Sequence, residues 1–313
     1  MSVATVPAQV HATRSWRALL PPATLVRLVI LAGLVLFAYW RPIRTNLVGK
    51  WLHDGNWSHG WLIPLFSLYF LSTRRDELLR CRPAPNYWGA AILALSLAVY
   101  FVSAWQYRMV YPQLVSIVGV ILGLTLLLGG LSVIRTAWFP ILFLLFAIPL
   151  PQAMYVELTM PLRRAASLVA ATVMPLFVDG LHTEAQAVII DYCLPGRPPG
   201  QLNVEEACSG MRSIMAFVTL GVAIAYVRQR PWWHRALMLV SCVPIAVFCN
   251  AIRVTTTGLL FVTGHDELAR GTPHALLGVL MFGIALGSFL LIDYVLGHLW
   301  VEVSEDIAVG DAV

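Results

Sequence analysis

Residues 206–226 read EACSGMRSIMAFVTLGVAIAY. The stretch opens on the polar run Glu206-Ala207-Cys208-Ser209-Gly210 and continues to Tyr226 without an acidic residue. A helix is predicted to start near Ser209, and 210–226 is apolar enough to cross a membrane. That start puts Cys208 at the positive end of the helix dipole, beside the carboxylate of Glu206. A thiol that only packs needs no polar escort. A nucleophilic one needs partial exposure, a cation or helix N-terminus, and a base within reach. The competing reading of Cys208 is a small buried residue at a helix start.

The rest of the chain agrees with a membrane setting. It is 59% hydrophobic and only 12% charged, which leaves too little polar surface to cover a soluble domain. The net charge of +5 sits in short clusters between apolar runs. Such clusters orient a membrane protein and do not form a nucleic-acid stripe, so lipid is the expected partner and nucleic acid is not. Five cysteines without CxxC or histidine-rich spacing give neither a disulfide framework nor a metal site, and no cofactor motif stands out. A Cys193–Cys208 disulfide stays open as a weaker alternative.

About eight spans are predicted, at 24–40, 58–72, 87–105, 112–134, 137–155, 210–226, 232–252 and 274–296. The expected fold is therefore an all-α integral membrane protein. Residues 1–23 form a cytoplasmic lead-in instead of a cleaved signal peptide, 24–300 the multi-spanning domain, and 301–313 a cytoplasmic tail. The stretch 155–178 is amphipathic, carries Arg163 and Arg164, and is expected along the interface, a partial crossing being the alternative. Within 179–207, the runs Ala187-Val188-Ile189-Ile190 and Gln201-Leu202-Asn203-Val204 flank Gly196-Arg197-Pro198-Pro199-Gly200, which reads as a small β-hairpin. Arg74, Arg75, Arg80, Arg82, Arg135, Arg228, Arg230 and Arg235 fall on one side of this count. That side is expected to be cytoplasmic, with both termini there and Cys208 facing outward.

The same topology brings Arg253, within Asn250-Ala251-Ile252-Arg253, and His274, within Pro273-His274-Ala275-Leu276-Leu277-Gly278, to the Cys208 side. Ionisable residues at membrane depth are costly and mark functional sites. Taken singly, Arg253 has the alternative reading of a snorkelling side chain and His274 that of a helix-cap neighbour. Taken together the three fit acyl transfer through a thiolate, with His274 moving the proton and Arg253 stabilising thiolate and oxyanion.

These blocks resemble the signatures of the exosortases, multi-pass cysteine transpeptidases of the exosortase/archaeosortase family. Trp57-Ser58-His59-Gly60-Trp61-Leu62-Ile63-Pro64 is similar to a further, outward-facing block, and the resemblance covers about residues 25–300. It implies a Cys, Arg and His catalytic set, falling on Cys208, Arg253 and His274. It implies as partners exported proteins ending in a Pro-Glu-Pro-like motif, a spanning helix and a basic tail. An acceptor on the cell surface, such as an exopolysaccharide, is the further partner of a transfer reaction. The implied location is the bacterial inner membrane, with the site on the periplasmic side. The Gly196–Gly200 turn and Cys193 look longer than the family's usual form.

Supporting residues complete the site. Glu206 is expected to organise the thiol's surroundings, and Arg212 to orient Glu206 or bind a substrate carboxylate, Arg212 reading equally as a snorkelling arginine. Asn250 belongs to the Arg253 block. His59, between Trp57 and Trp61, reads first as part of an aromatic belt and second as a substrate contact. Two rival classes remain, a lipid or cell-envelope acyltransferase and a transporter. The latter is disfavoured because the charges gather at one edge and not at midplane.

Overall fold

Apolar runs in lipid become helices because every backbone N–H and C=O must find its partner within the segment. The computed structural model describes residues 22–204, 211–227, 230–269 and 271–299. The chain divides into two compact units, Met1–Leu150 and Pro151–Val313.

In the first unit, helix α1 (Pro22–Ala38) is followed by a second helical stretch, α2 (Trp40–His53), bent from it by 68°. The bend is built on Tyr39, buried, whose hydroxyl lies 2.9 Å from Ser116 Oγ, while Tyr100 donates its hydroxyl to the Ala38 carbonyl. The freed end of α1 thus finds a side-chain donor. A 3-10 turn, Gly55–Trp61, leads into α3 (Leu62–Thr73), so the segment expected at 58–72 becomes helical only from Leu62. Helix α4 (Trp88–Trp105) packs closely on α5 (Val110–Phe143). Glycines allow this: a Cβ on Gly123 would come 2.8 Å from the Leu93 nitrogen, and one on Gly89 would run into the Leu127 backbone.

Helix α5 holds both segments expected at 112–134 and 137–155, as two helical arms that meet at Gly130 with no loop between them. It continues through a 3-10 turn to Ala147 and bends at Gly130, where φ is +75° and ψ is −170°. One left-handed glycine does the work of an interhelical loop, and the Pro149-Leu150-Pro151 sequence then ends the run. A side chain at Gly130 is doubly excluded, because its Cβ would strike the Ala84 carbonyl oxygen. Gly130→Ala is expected to destabilise the unit by at least ~1–3 kcal/mol from backbone strain alone. Thermal unfolding in detergent checks this, and an unchanged Tm would show that the bend relaxes without cost.

The second unit begins with α6 (Gln152–Val173), which runs unbroken through Pro161. Of the two arginines in the stretch expected along the interface, Arg163 is 1% exposed and Arg164 is exposed, and α6 is not among the described helices apolar enough to cross a membrane. Next comes a sheet of three antiparallel strands, β1 (His182–Gln186), β2 (Ile189–Cys193) and β3 (Gly200–Asn203), in the order β1-β2-β3. The sequence reading had only the second pair. Strand β1 (HTEAQ) lacks apolar alternation, and the turn before β2 uses Ala187 at φ +55° instead of a glycine. Among the described residues Cys193 forms no disulfide, and its partner in the earlier alternative lies outside them.

Helices α7 (Met211–Val227), α8 (Trp232–Val262) and α9 (Gly271–Leu299) complete the unit. One core cluster joins Ala166 and Ala170 of α6, Ile190 and Leu202 of the sheet, and Ala251 and Val254 of α8. A second joins Phe217 of α7, Cys242 and Cys249 of α8, and Met281 and Phe289 of α9. Helix α8 continues ten residues beyond the expected end at 252, so it is shared by both clusters. Four helices are long and apolar enough to cross a membrane, or five with the bent α1–α2 pair, among the described residues.

Candidate active site

Arg253 is not at a helix end. It lies inside α8 and is 4% exposed, so the snorkelling reading fails: a snorkelling arginine keeps its head in water. Asn250, one turn earlier on the same flank, is 5% exposed. Thr257, one turn later, is 1% exposed, and its hydroxyl has no hydrogen-bond partner among the described residues. These three fall between the α8 face that packs on α6 and the face that packs on α7 and α9.

Arg253 faces α9 at a glycine. A Cβ on Gly278 would sit 3.9 Å from Arg253 Nη2, so a longer side chain there would contest the space of the guanidinium. Position 274 lies one helical turn before Gly278 on the same face of α9. The backbone therefore sets the Arg253 block against the His274 block. The His274 and Arg212 side chains lie outside what the structure describes, as do Cys208 and Glu206 entirely. The chain enters their segment from Val204, fully buried and donating its N–H to the Val188 carbonyl at 2.8 Å, and leaves it at Met211, the first residue of α7.

Two features of this unit escaped the sequence reading. On α6, Tyr155, Thr159, Arg163 and Ser167 recur every four residues, and all are buried. They form a polar stripe on a helix that shares a core with α8. Two buried guanidiniums, Arg163 and Arg253, are thus carried by helices that pack together, and buried cations call for anionic company. The four-residue spacing was the available signal. It was hidden because polar residues at that spacing also describe the wet face of an amphipathic helix.

The other feature is a buried pair, His234 Nε2 and Asp293 Oδ1, 3.0 Å apart between α8 and α9. His234 and Arg253 are nineteen residues apart, about 28 Å along a helix, close to the thickness of a hydrocarbon core. The antiparallel α8–α9 pair is therefore joined by a polar contact near one end and by the close approach of Arg253 to Gly278 near the other, with the apolar cluster between them. Asp293→Ala is expected to cost ~1–3 kcal/mol by leaving the buried His234 Nε2 without this hydrogen bond. Replacing both residues by apolar ones should cost less. Unfolding of both variants in detergent tests this, and equal losses would mean that the pair acts only by packing.

His59 sits in the first unit, in the 3-10 turn before α3. Its ring lies 5.8 Å from that of Trp57, and its Nε2 is buried without a hydrogen-bond partner among the described residues. Burial pushes its pKa down, which favours a neutral imidazole. Gly60, next to it, has its α-carbon against the Trp51 indole, which itself donates to the Ala147 carbonyl at 2.9 Å. The Trp57–Pro64 block thus builds local packing that only a glycine permits. No group of ligating side chains that fits a metal occurs among the described residues.

No curated protein and no solved structure matches the chain. The family model of the transmembrane exosortases (Exosortase_EpsH) matches residues 51–291. That span takes in the His59 block, the Cys208 run, the Arg253 block, position 274 and the helices that hold them. The chain belongs to the transmembrane exosortase family.

Proposed function

We propose that this protein is a membrane-embedded cysteine peptidase or transpeptidase that removes the C-terminal sorting signal of exported proteins. The observation that carries the reading is the burial of Arg253 against the Gly278 turn of α9, one turn from His274, inside a chain of this family. The substrate is an exported protein ending in a Pro-Glu-Pro-like motif, a spanning helix and a basic tail.

In the reaction, the Cys208 thiolate attacks the scissile carbonyl and a C–S bond forms. Arg253 stabilises first the thiolate and then the tetrahedral oxyanion. The C–N bond breaks, and His274 supplies the proton that the departing amine takes up. Water or an acceptor amine then opens the thioester, giving release or transfer to the cell surface, and the thiol is restored. Glu206 organises the thiol's surroundings, and Arg212 orients Glu206 or binds a substrate carboxylate.

The membrane arrangement has eight crossings. They are the bent α1–α2 pair, α3, α4, the two arms of α5 on either side of Gly130, α7, α8 and α9. Both termini face the cytoplasm, and the sheet and Cys208 face the periplasm of an inner membrane. The test is co-expression with an exported reporter bearing such a signal, together with accessibility tags near Arg75 and in the Gly196–Gly200 turn. A shortened reporter, with a cytoplasmic tag at 75 and an external one in the turn, is expected. An intact reporter, or reversed tags, would defeat the reading.

A further inference from the structure

The small sheet has an edge whose backbone is aimed outward next to the Cys208 segment. Val204 donates its N–H to the Val188 carbonyl. The register of β2 and β3 pairs Ile190 with Leu202 and Asp191 with Gln201. Hydrogen-bonded and non-bonded positions alternate along an antiparallel pair. The backbone groups of Leu202 therefore turn toward β2, and the N–H and C=O of Gln201 turn to the outer edge. The first hairpin agrees: its two-residue turn closes on Gln186 and Ile189, which directs the backbone of Asp191 toward Glu184 and away from β3.

The strand that carries this edge is held against α8. Leu202 is buried, and a Cβ on Gly258 of α8 would come 2.9 Å from its Cδ2. The loop before β3 is fastened by Arg197, which donates to the Val262 carbonyl at 2.6 Å and to that of Thr263 at 3.4 Å, at the end of α8. Edge strands are commonly protected by charge, by proline or by a covering element. Strand β1 carries Glu184 and packs on α6, whereas Gly200-Gln201-Leu202-Asn203 has no charge and no proline. Gln201 is exposed, and no described strand pairs with β3 beyond β2. A concavity of about 650 Å³ lies over one face of the sheet, with His182 and Glu184 of β1, Asp191 and Cys193 of β2, and Gln201 of β3 in its wall.

We infer that the outer edge of β3 receives the cleavage segment of the substrate as an added strand, paired through the Gln201 N–H and C=O. The inference rests on the substrate class proposed above. Strand addition takes its affinity from main-chain hydrogen bonds. Four residues of chain separate Asn203 from Cys208, a reach of at most ~18 Å, so a segment paired at β3 is held near the thiol. A Pro-X-Pro segment suits this edge. Backbone groups of alternate residues point to opposite sides, so when X faces Gln201 both prolines turn their missing N–H away from the sheet.

The experiment uses the full chain in native membranes with a tagged sorting-signal protein. The Gln201 N–H plays no part in the β2–β3 ladder, so Gln201→Pro removes the outward donor and spares the sheet. It is expected to lower kcat/KM about tenfold, mainly through KM. Gln201→Ala keeps the N–H and is expected to lose no more than about twofold. In a Cys208→Ala background, a photo-crosslinking residue at 201 is expected to capture the substrate within its proline-containing segment. Processing by Gln201→Pro at the wild-type rate, an equal loss in Gln201→Ala, or crosslinks elsewhere on the substrate would overturn the inference and leave the proposed function standing. Should Gln201→Pro fail to accumulate, the crosslink alone decides. If the wild-type chain leaves the substrate uncut, the proposed function falls and takes the inference with it.

Discussion

Membranes carrying Cys208→Ala are expected to leave the tagged sorting-signal substrate at full length. The substitution removes the only atom proposed to form a bond with the scissile carbonyl. Without a nucleophile the remaining groups can orient the substrate and stabilise charge, yet no thioester forms. A loss of roughly 10⁴-fold or more is the scale seen when a covalent nucleophile is deleted. Alanine differs from cysteine by one heavy atom, so insertion and substrate capture should persist. The tail is followed on a gel beside the membrane level of the variant. Wild-type processing by a well-inserted Cys208→Ala protein would remove thiol chemistry from this family member.

The second large effect is expected at Arg253. Lysine keeps the charge of arginine and loses its planar fork of donors, and a single ammonium cannot hold a thiolate and an oxyanion in the same geometry. Because Arg253 is buried inside α8 and faces the Gly278 turn, its head cannot be replaced by a side chain that reaches water instead. Arg253→Lys is expected to lower kcat by ~10²- to 10³-fold, the cost of losing an oxyanion donor. His274→Ala should fall by ~10²- to 10⁴-fold through proton transfer, with substrate crosslinking retained in both variants. A His274→Ala protein that cleaves at the normal rate would make position 274 a cap and nothing more. An Arg253→Lys protein with full activity would mean that charge alone suffices.

The sheet and the Arg253 helix show what could be read from residues and what could not. The pairing of β2 with β3 was legible because an apolar, β-branched run at 187–190 and the alternating run Gln201-Leu202-Asn203-Val204 flank a Gly- and Pro-rich turn. Strand β1 was not, since its stability comes from its neighbour and from α6 instead of from its own pattern. The end of α8 was set too early at 252 because a charged residue reads as a span boundary. In the structure Arg253, Thr255 and Thr257 are surrounded by protein and the helix runs on to Val262.

By itself the sequence determined the membrane setting, the helical class, the motif blocks and the family resemblance, because hydropathy and short motifs are local properties of the chain. Tertiary structure alone decided that Arg163 is buried at 1% exposure, that His234 meets Asp293, that Gly130 bends α5, and that Gln201 aims its backbone outward. Each of these depends on which face of one element meets another. Spacing along the chain lists the faces a helix or strand can offer, and only packing against a partner selects the one that is buried.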